Sequence, residues 1–352
     1  MLQKTVWIDV TMLVNWSGQL TGIQRVEYNL AKRFVNKDNV AFCVFDKVTQ
    51  KCSEFDFRHI EYKVSMLQVH NNTSQAAVSE SSILTTYRHI FKKSYLRAVK
   101  TLPRKVTATA GRGYRAFKKT TIQNLSPNEV IFGKSDVLLI LSGDWSDNLF
   151  ADWIKSIHTI KGIKILQIVY DMLPYVYPAY FVEGMSDQFS SYMERIFKSA
   201  DGILAISEST KRDIEKFVEN HSIKKVPVKV FRLGDDFVKM ASVRPSVEID
   251  IKEYLLCVGT VEARKNHLLL YYAVREALSN GFDIPPIVVV GKMGWLSKDM
   301  QYLISQDPQV RKKFIFINNS TDQELSWLFK NSLLTIYPSY YEGWGLPIAE
   351  SL

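Results

Sequence analysis

YLLCVGTVEARKNHLLLYYAVREAL (residues 254–278) passes from a short apolar run through a charged turn into a helical pattern. The run from Tyr254 to Thr260 has the length and composition of a buried strand, and His267 to Leu278 those of a helix. The same alternation continues on either side. Downstream, PPIVVVG (285–291), FIFIN (314–318) and LLTIYPS (333–339) read as strands, and Asp322 to Lys330 as a helix that opens on Thr321 with Glu324 three residues on, a capping box. Upstream, six strands are expected: TVWIDV (5–10), NVAFCVF (39–45), DVLLILSG (136–143), KILQIVYD (164–171), GILAIS (202–207) and VPVKVFRLG (226–234). Helices are expected over Gly22 to Val35, where Ile23, Val26, Leu30 and Phe34 share a face, and over Ser207 to Glu219. Strands that alternate with helices imply α/β architecture with parallel sheets. Residues 236–250 lack any period and read as a hinge between a first domain, 1–240, and a second, 250–352. Two such domains form a cleft, and ligands in open parallel sheets sit beyond the carboxyl ends of the strands.

The chain has 352 residues, 46% of them apolar and 23% charged, which excludes a disordered or low-complexity protein. The three cysteines, Cys43, Cys52 and Cys257, are too few and too scattered for a disulfide framework or a zinc site. With no signal-peptide core and no apolar run of membrane-spanning length, the expected location is cytoplasmic. The formal charge of +9 is unevenly spread. Residues 81–128 hold no Asp or Glu but eleven Lys and Arg between Arg88 and Lys119, so the rest of the chain is close to neutral. Phe91, Tyr95, Val99 and Leu102 recur among these bases at near-helical spacing. The segment reads either as a solvated insertion or as a basic amphipathic helix that docks on the inner face of an anionic membrane.

Two constellations carry chemistry. The first is YPSYYEGWGLPIAESL (337–352), in which a strand gives way to a turn with Gly343 and Gly345 and then to a helix with Pro347 in its first turn. The backbone N–H groups of Trp344, Gly345 and Leu346 are expected to face an anion there. Glu342 and Glu350 bracket the turn and suit the hydroxyls of a sugar better than a phosphate. The second constellation follows the 254–260 strand: Gly259 ends it, and Arg264 and Lys265 lie in the connection to the next helix, where cations can neutralise a diphosphate.

GTVEARKN, followed by a Glu, seven residues, Glu element within YEGWGLPIAE, resembles the retaining glycosyltransferases of family four. WIDVTMLVNWSGQLTGIQRVEYNL resembles the bacterial members that build surface polysaccharides, often as mannosyltransferases. The resemblance implies a GT-B fold of two Rossmann-like domains facing a cleft. It places Glu342 by the donor sugar, Glu350 on the ribose hydroxyls, Arg264 and Lys265 on the donor diphosphate, and the loop around Thr21 and Gly22 over it from the first domain. It further implies a nucleotide-sugar donor, GDP-mannose favoured, no cofactor, and a lipid-linked saccharide acceptor. Two departures are visible. Tyr170 precedes Asp171 where the family commonly has a His, and the sequence stops at Leu352, before the family's final crossing helix, so an incomplete second domain is expected.

No Asp-x-Asp element ends a strand, so the leaving diphosphate is expected to be stabilised without metal by Arg264, Lys265 and the helix N-terminus. Asp171 is the first-domain residue expected to position a sugar. Sugar-nucleotide epimerases share this architecture and are the competing enzyme reading. An NAD-dependent oxidoreductase fits less well, because no Gly-x-Gly-x-x-Gly follows the first strand. A nucleic-acid-binding protein would use Phe91, Tyr95, Tyr114 and Phe117 among the bases, but it leaves the rest of the chain without a role. Nucleic acid is therefore not an expected partner.

Overall fold

The computed structural model describes residues 4–17, 20, 22–73 (67–73 by backbone only), 128–146, 148–234, 242–245, 253–318 and 320–352. In chain order the strands are β1 (Val6–Asp9), β2 (Val40–Asp46), β3 (Lys51–Phe55), β4 (Val137–Ile140), β5 (Lys164–Val169), β6 (Gly202–Ala205), β7 (Val228–Val230), β8 (Leu255–Val258), β9 (Ile287–Val290), β10 (Phe314–Ile317) and β11 (Leu334–Thr335). The helices are α1 (Thr11–Asn15), α2 (Ile23–Phe34), α3 (Arg58–Thr73), α4 (Leu149–Lys161), α5 (Leu173–Val176), α6 (Met185–Ser199), α7 (Glu208–Asn220), α8 (His267–Ser279), α9 (Lys298–Gln306), α10 (Pro308–Arg311), α11 (Asp322–Asn331) and α12 (Leu346–Glu350).

The first sheet runs β3-β2-β1-β4-β5-β6-β7 and the second β10-β9-β8-β11. Every pairing is parallel except β2 with β3. The expectation of six strands in the first part therefore falls one short. Strand β3 returns antiparallel from β2 as an edge strand, with Cys52 buried in one core and Phe55 in the other, and the exposed Lys51 and Glu54 interrupt its apolar residues, which hides it from an apolar count.

Parallel strands covered on both sides need apolar residues at every position. All four residues of β4, VLLI, and of β9, IVVV, are buried. On β4, Leu138 and Ile140 enter the core with Phe150, Tyr192 and Phe197, while Leu139 joins Ile8, Leu13 and Phe57 on the other face. The second sheet is sandwiched the same way, with Val289 on one side and Val288 on the other.

Helix starts follow local chemistry. Thr321 and Glu324 form the expected capping box on α11, and the Ser207 hydroxyl accepts from the Thr210 N–H at the head of α7. Of the expected hinge, residues 242–245 are described and belong with the second domain. The Val243 N–H donates to the Gln323 carbonyl at 3.1 Å, and Arg244 lies over the Trp327 ring. The basic segment 88–119 and Thr21 lie outside the described residues. Among the described residues, no helix is long and apolar enough to cross a membrane.

Each sheet reverses its strand order once, between β1 and β4 in the first and between β8 and β11 in the second. A crevice opens at the carboxyl ends of strands flanking such a reversal. Asp9 and Ser142 lie at the first reversal, and the 259–265 and 337–346 turns at the second.

Candidate active site

At the second reversal, Gly259 follows β8 with φ +142°, and Gly291 follows β9 so closely that a Cβ there would fall 2.1 Å from the Gly259 carbonyl oxygen. This tight pair of turns lets Arg264 and Lys265 fold back over the strand end on a short 3₁₀ turn, Ala263–Lys265. The helix that follows, α8, opens on Asn266 in the left-handed conformation.

Glu342 joins the two cations. Its Oε1 lies 2.7 Å from Arg264 Nη1, 2.6 Å from Lys265 Nζ and 2.6 Å from the Ser339 hydroxyl, which donates to it. Arg264 Nη2 also donates to Glu262 at 2.6 Å, and its Nη1 to the Tyr341 carbonyl at 3.1 Å. Lys265 donates to the Tyr337 hydroxyl at 2.6 Å and stands over that ring. Burial alone would raise the Glu342 carboxyl, but Lys265 and Arg264 outweigh it and hold the group below its ordinary value. Burial lowers Lys265, with Glu342 opposing. The guanidinium of Arg264, against burial, is held charged by Glu342 and Glu262. Two cations and two carboxylates thus balance one another in this cluster. Glu342, expected to face the sugar, is here the counter-ion of Arg264 and Lys265. Next to it, burial and then Lys265 push His267 down to about 4, so the imidazole is neutral.

Gly343 presses on the first domain: a Cβ there would fall 2.1 Å from the Tyr170 carbonyl oxygen and 3.0 Å from Asp171 Cβ. Only glycine allows this approach. Asp171, just past β5, accepts from the Leu173 N–H at 3.0 Å, as a turn-forming Asp does. Desolvation raises its pKa, with Arg264 and Lys265 pulling it down and Glu342 pushing it up, so it shares one electrostatic site with the second-domain cluster. Trp344 packs on the first-domain core. Gly345, at φ +84°, precedes α12 with Pro347 in the first turn, as expected.

Glu350 is 6% exposed and pairs with Arg25 of α2, which also reaches Asp322 at 3.5 Å. Gly22, at φ +51°, caps that helix, and a Cβ there would touch nothing within 4 Å. The sequence reading missed Arg25, whose local signal was its place three residues after Gly22. It also missed Glu27, which is 1% exposed and faces Ser142. Burial raises Glu27 to about 7, with a pull down from Ser142 and a push up from Asp9, itself raised by burial to about 6. A further bridge runs from the Tyr341 hydroxyl to Asp213 of α7 at 2.8 Å.

Residues 241–352 match the family model for glycosyl transferases group 1. The second domain is a glycosyl transferases group 1 domain. The group 1 domain and the first domain together have the GT-B fold. Across 99% of this chain and 78% of the other, the structure aligns with Anabaena HepE in complex with UDP and glucose, at a TM-score of 0.52 and 12% identity. It aligns equally with a sucrose-phosphate synthase from Thermosynechococcus elongatus, at 0.52 and 13% identity over 99% of this chain and 79% of that one. In sequence, the chain is 30% identical over 239 residues to the serotype-specific mannosyltransferase WbdA of Escherichia coli, covering 63% of this chain and 29% of that protein. It is 24% identical over 198 residues to the O-antigen chain mannosyltransferase RfbU of Salmonella typhimurium, covering 55% of this chain and 51% of the other. The match thus spans less than a third of WbdA. The Arg264, Lys265 and Glu342 cluster, the Gly343 turn and Glu350 all lie within the group 1 domain.

Proposed function

We propose that the chain is a retaining, metal-independent hexosyltransferase that moves mannose from GDP-mannose to a growing, lipid-linked surface polysaccharide. The observation that carries this reading is the Arg264, Lys265 and Glu342 cluster at the β8 and β11 strand ends, directly opposite Asp171. The relatives named as serotype-specific and O-antigen chain mannosyltransferases support the choice of sugar and acceptor. In the reaction, the bond between the sugar C1 and the phosphate oxygen breaks while the acceptor oxygen bonds C1 on the same face. The acceptor's proton goes to the departing phosphate oxygen. Arg264 and Lys265 meet the charge that grows on the diphosphate, a preorganised electrostatic role of the kind that usually dominates catalysis. Their move to the diphosphate releases Glu342 to accept bonds from sugar hydroxyls, with Asp171 facing the sugar from the other domain. Glu350 receives the ribose hydroxyls once Arg25 gives way, and the Thr21 and Gly22 loop covers the diphosphate. The basic segment 88–119 holds the chain at the inner face of the membrane.

A thermal-shift panel of GDP, UDP and dTDP is the first test, followed by incubation with labelled GDP-mannose, with and without a lipid-linked saccharide acceptor and with EDTA. Acceptor-dependent label transfer that survives EDTA is expected. Conversion of the sugar without acceptor would make the protein an epimerase, and loss of transfer with EDTA would remove metal independence. Flotation with anionic liposomes, before and after replacing the segment's bases with Gln, tests the membrane contact, and unchanged binding would discard it.

A further inference from the structure

Beyond the charged cluster, both domains lead the chain into aromatic residues at one rim of the cleft. From Asp171 it runs through α5 to Tyr177, Tyr180 and Phe181, and Tyr340 and Tyr341 immediately precede Glu342. The rings meet across the domain boundary. Tyr180 and Tyr340 stack at 5.3 Å with their planes 7° apart, Tyr177 and Tyr341 lie 5.3 Å apart, and Phe181 and Trp295 6.1 Å apart.

Polar tips fix two of the rings, Trp295 and Tyr341. The Trp295 indole N–H donates to the Tyr180 carbonyl at 2.8 Å, and the Tyr341 hydroxyl to Asp213. The Tyr340 N–H donates to the Arg264 carbonyl at 3.1 Å, which ties the rim to the cluster itself. The rim is nevertheless open to water: Tyr340 is 55% exposed and Trp295 37%. Beside Trp295, Leu296 is exposed at φ +53°, a conformation that costs a branched residue. Rigid aromatic rings with anchored polar ends give large contact area at little entropic cost. The surrounding charges are mixed, with Lys292 and Lys298 set against Glu183 and Asp299, so no field of one sign draws an anionic surface. The ligand that fits is neutral, with flat C–H faces to lie on rings and hydroxyls at its edges, which is the chemistry of a pyranose.

We propose that this aromatic rim binds the saccharide chain of the acceptor, holding sugar units behind the one whose hydroxyl attacks. This deepens the glycosyltransferase reading and rests on it. The test uses the full chain, its variants Tyr340→Ala and Trp295→Ala, and α-linked mannose oligomers of one to four units as probes, followed by calorimetric titration without donor. Wild-type affinity should rise with oligomer length, and each variant should lose the tetrasaccharide at least tenfold while binding mannose as before. Their GDP-induced thermal shift should match wild type, which shows that the fold and donor site are intact, and Trp295→Phe should retain most of the affinity. Equal affinity for all lengths, or variants that bind the tetrasaccharide normally, would overturn the proposal. So would loss of anionic-vesicle flotation in the rim variants with saccharide binding unchanged, since the rim would then be a lipid contact. A wild type that binds oligomers by length but shows no shift with any nucleoside diphosphate would refute the transferase reading and leave the rim standing.

Discussion

Replacing Glu27 with Gln tests the electrostatics beneath the cleft. Glu27 is enclosed at the β1 and β4 strand ends, and burial raises its carboxyl from 4.5 to about 7. The fold therefore favours its protonated form, so the associated stability is fully present below pH 4.5 and is lost as the pH climbs through 7. Moving the carboxyl from 4.5 to about 7 is worth about 3 kcal/mol at pH 8 and under about 1 at pH 5. Gln cannot ionise, and the roughly 1–3 kcal/mol that its unpaired amide costs is the same at both pH values. Relative to wild type, the variant should thus gain about 2–3 kcal/mol between pH 5 and pH 8, or roughly 5–10 °C in the melting temperature of the first domain. Differential scanning fluorimetry across that range reads the difference directly. Asp9, raised to about 6 and coupled to Glu27 by like-charge repulsion, titrates within the same window, so the Glu27→Gln difference includes the relief of that repulsion. Parallel melting curves from pH 5 to pH 8 would refute the reasoning, because they would mean that the carboxyl is hydrated and titrates normally.

Lys265→Ala and Glu350→Ala should each abolish most of the stabilisation of about 2.7 kcal/mol that a nucleoside diphosphate gives at a hundred times its dissociation constant; normal turnover in both would remove the site assignment. Gly343→Ala places a methyl 2.1 Å from the Tyr170 carbonyl oxygen and should force the domains apart, so transfer should be lost while circular dichroism is unchanged; normal turnover would show that this contact opens during the reaction. Arg25→Gln leaves Glu350 buried without its cation at a cost of roughly 3–5 kcal/mol, and adding Glu350→Gln should recover much of it; additive losses in denaturant melts would deny the coupling. Because folding holds His267 neutral at about 4, its contribution to stability is present above pH 6.5 and lost as the pH falls toward 4, and His267→Phe should flatten that acid limb.

The local reading of the chain was accurate where its cause is local. Alternating apolar runs located ten of the eleven described strands, and the capping box at Thr321 and the Gly-Pro signals around Gly345 and Pro347 marked real helix starts. Strand β3 escaped because only Cys52 and Phe55 of its five residues are buried, one on each face, with the exposed Lys51 and Glu54 among them, so it shows neither an apolar run nor a strict alternation. Arg264, Lys265, Glu342 and Asp171 were recognisable as strand-end residues and do converge. Their roles relative to one another were not legible: Glu342 neutralises the cations, and Asp171 joins them from the opposite domain.

Sequence by itself determined the α/β class, the strand-end position of Arg264, Lys265 and Glu342 and the glycine turn, since periodicity, capping and backbone freedom act over a few neighbouring residues. Only the tertiary structure decided which charges meet and which are deprived of water. Arg25 and Glu350 are 325 residues apart, and Glu27 looks like any helical glutamate until two strand ends close over it. Coulombic pairing and desolvation depend on distances through space, which no local pattern encodes.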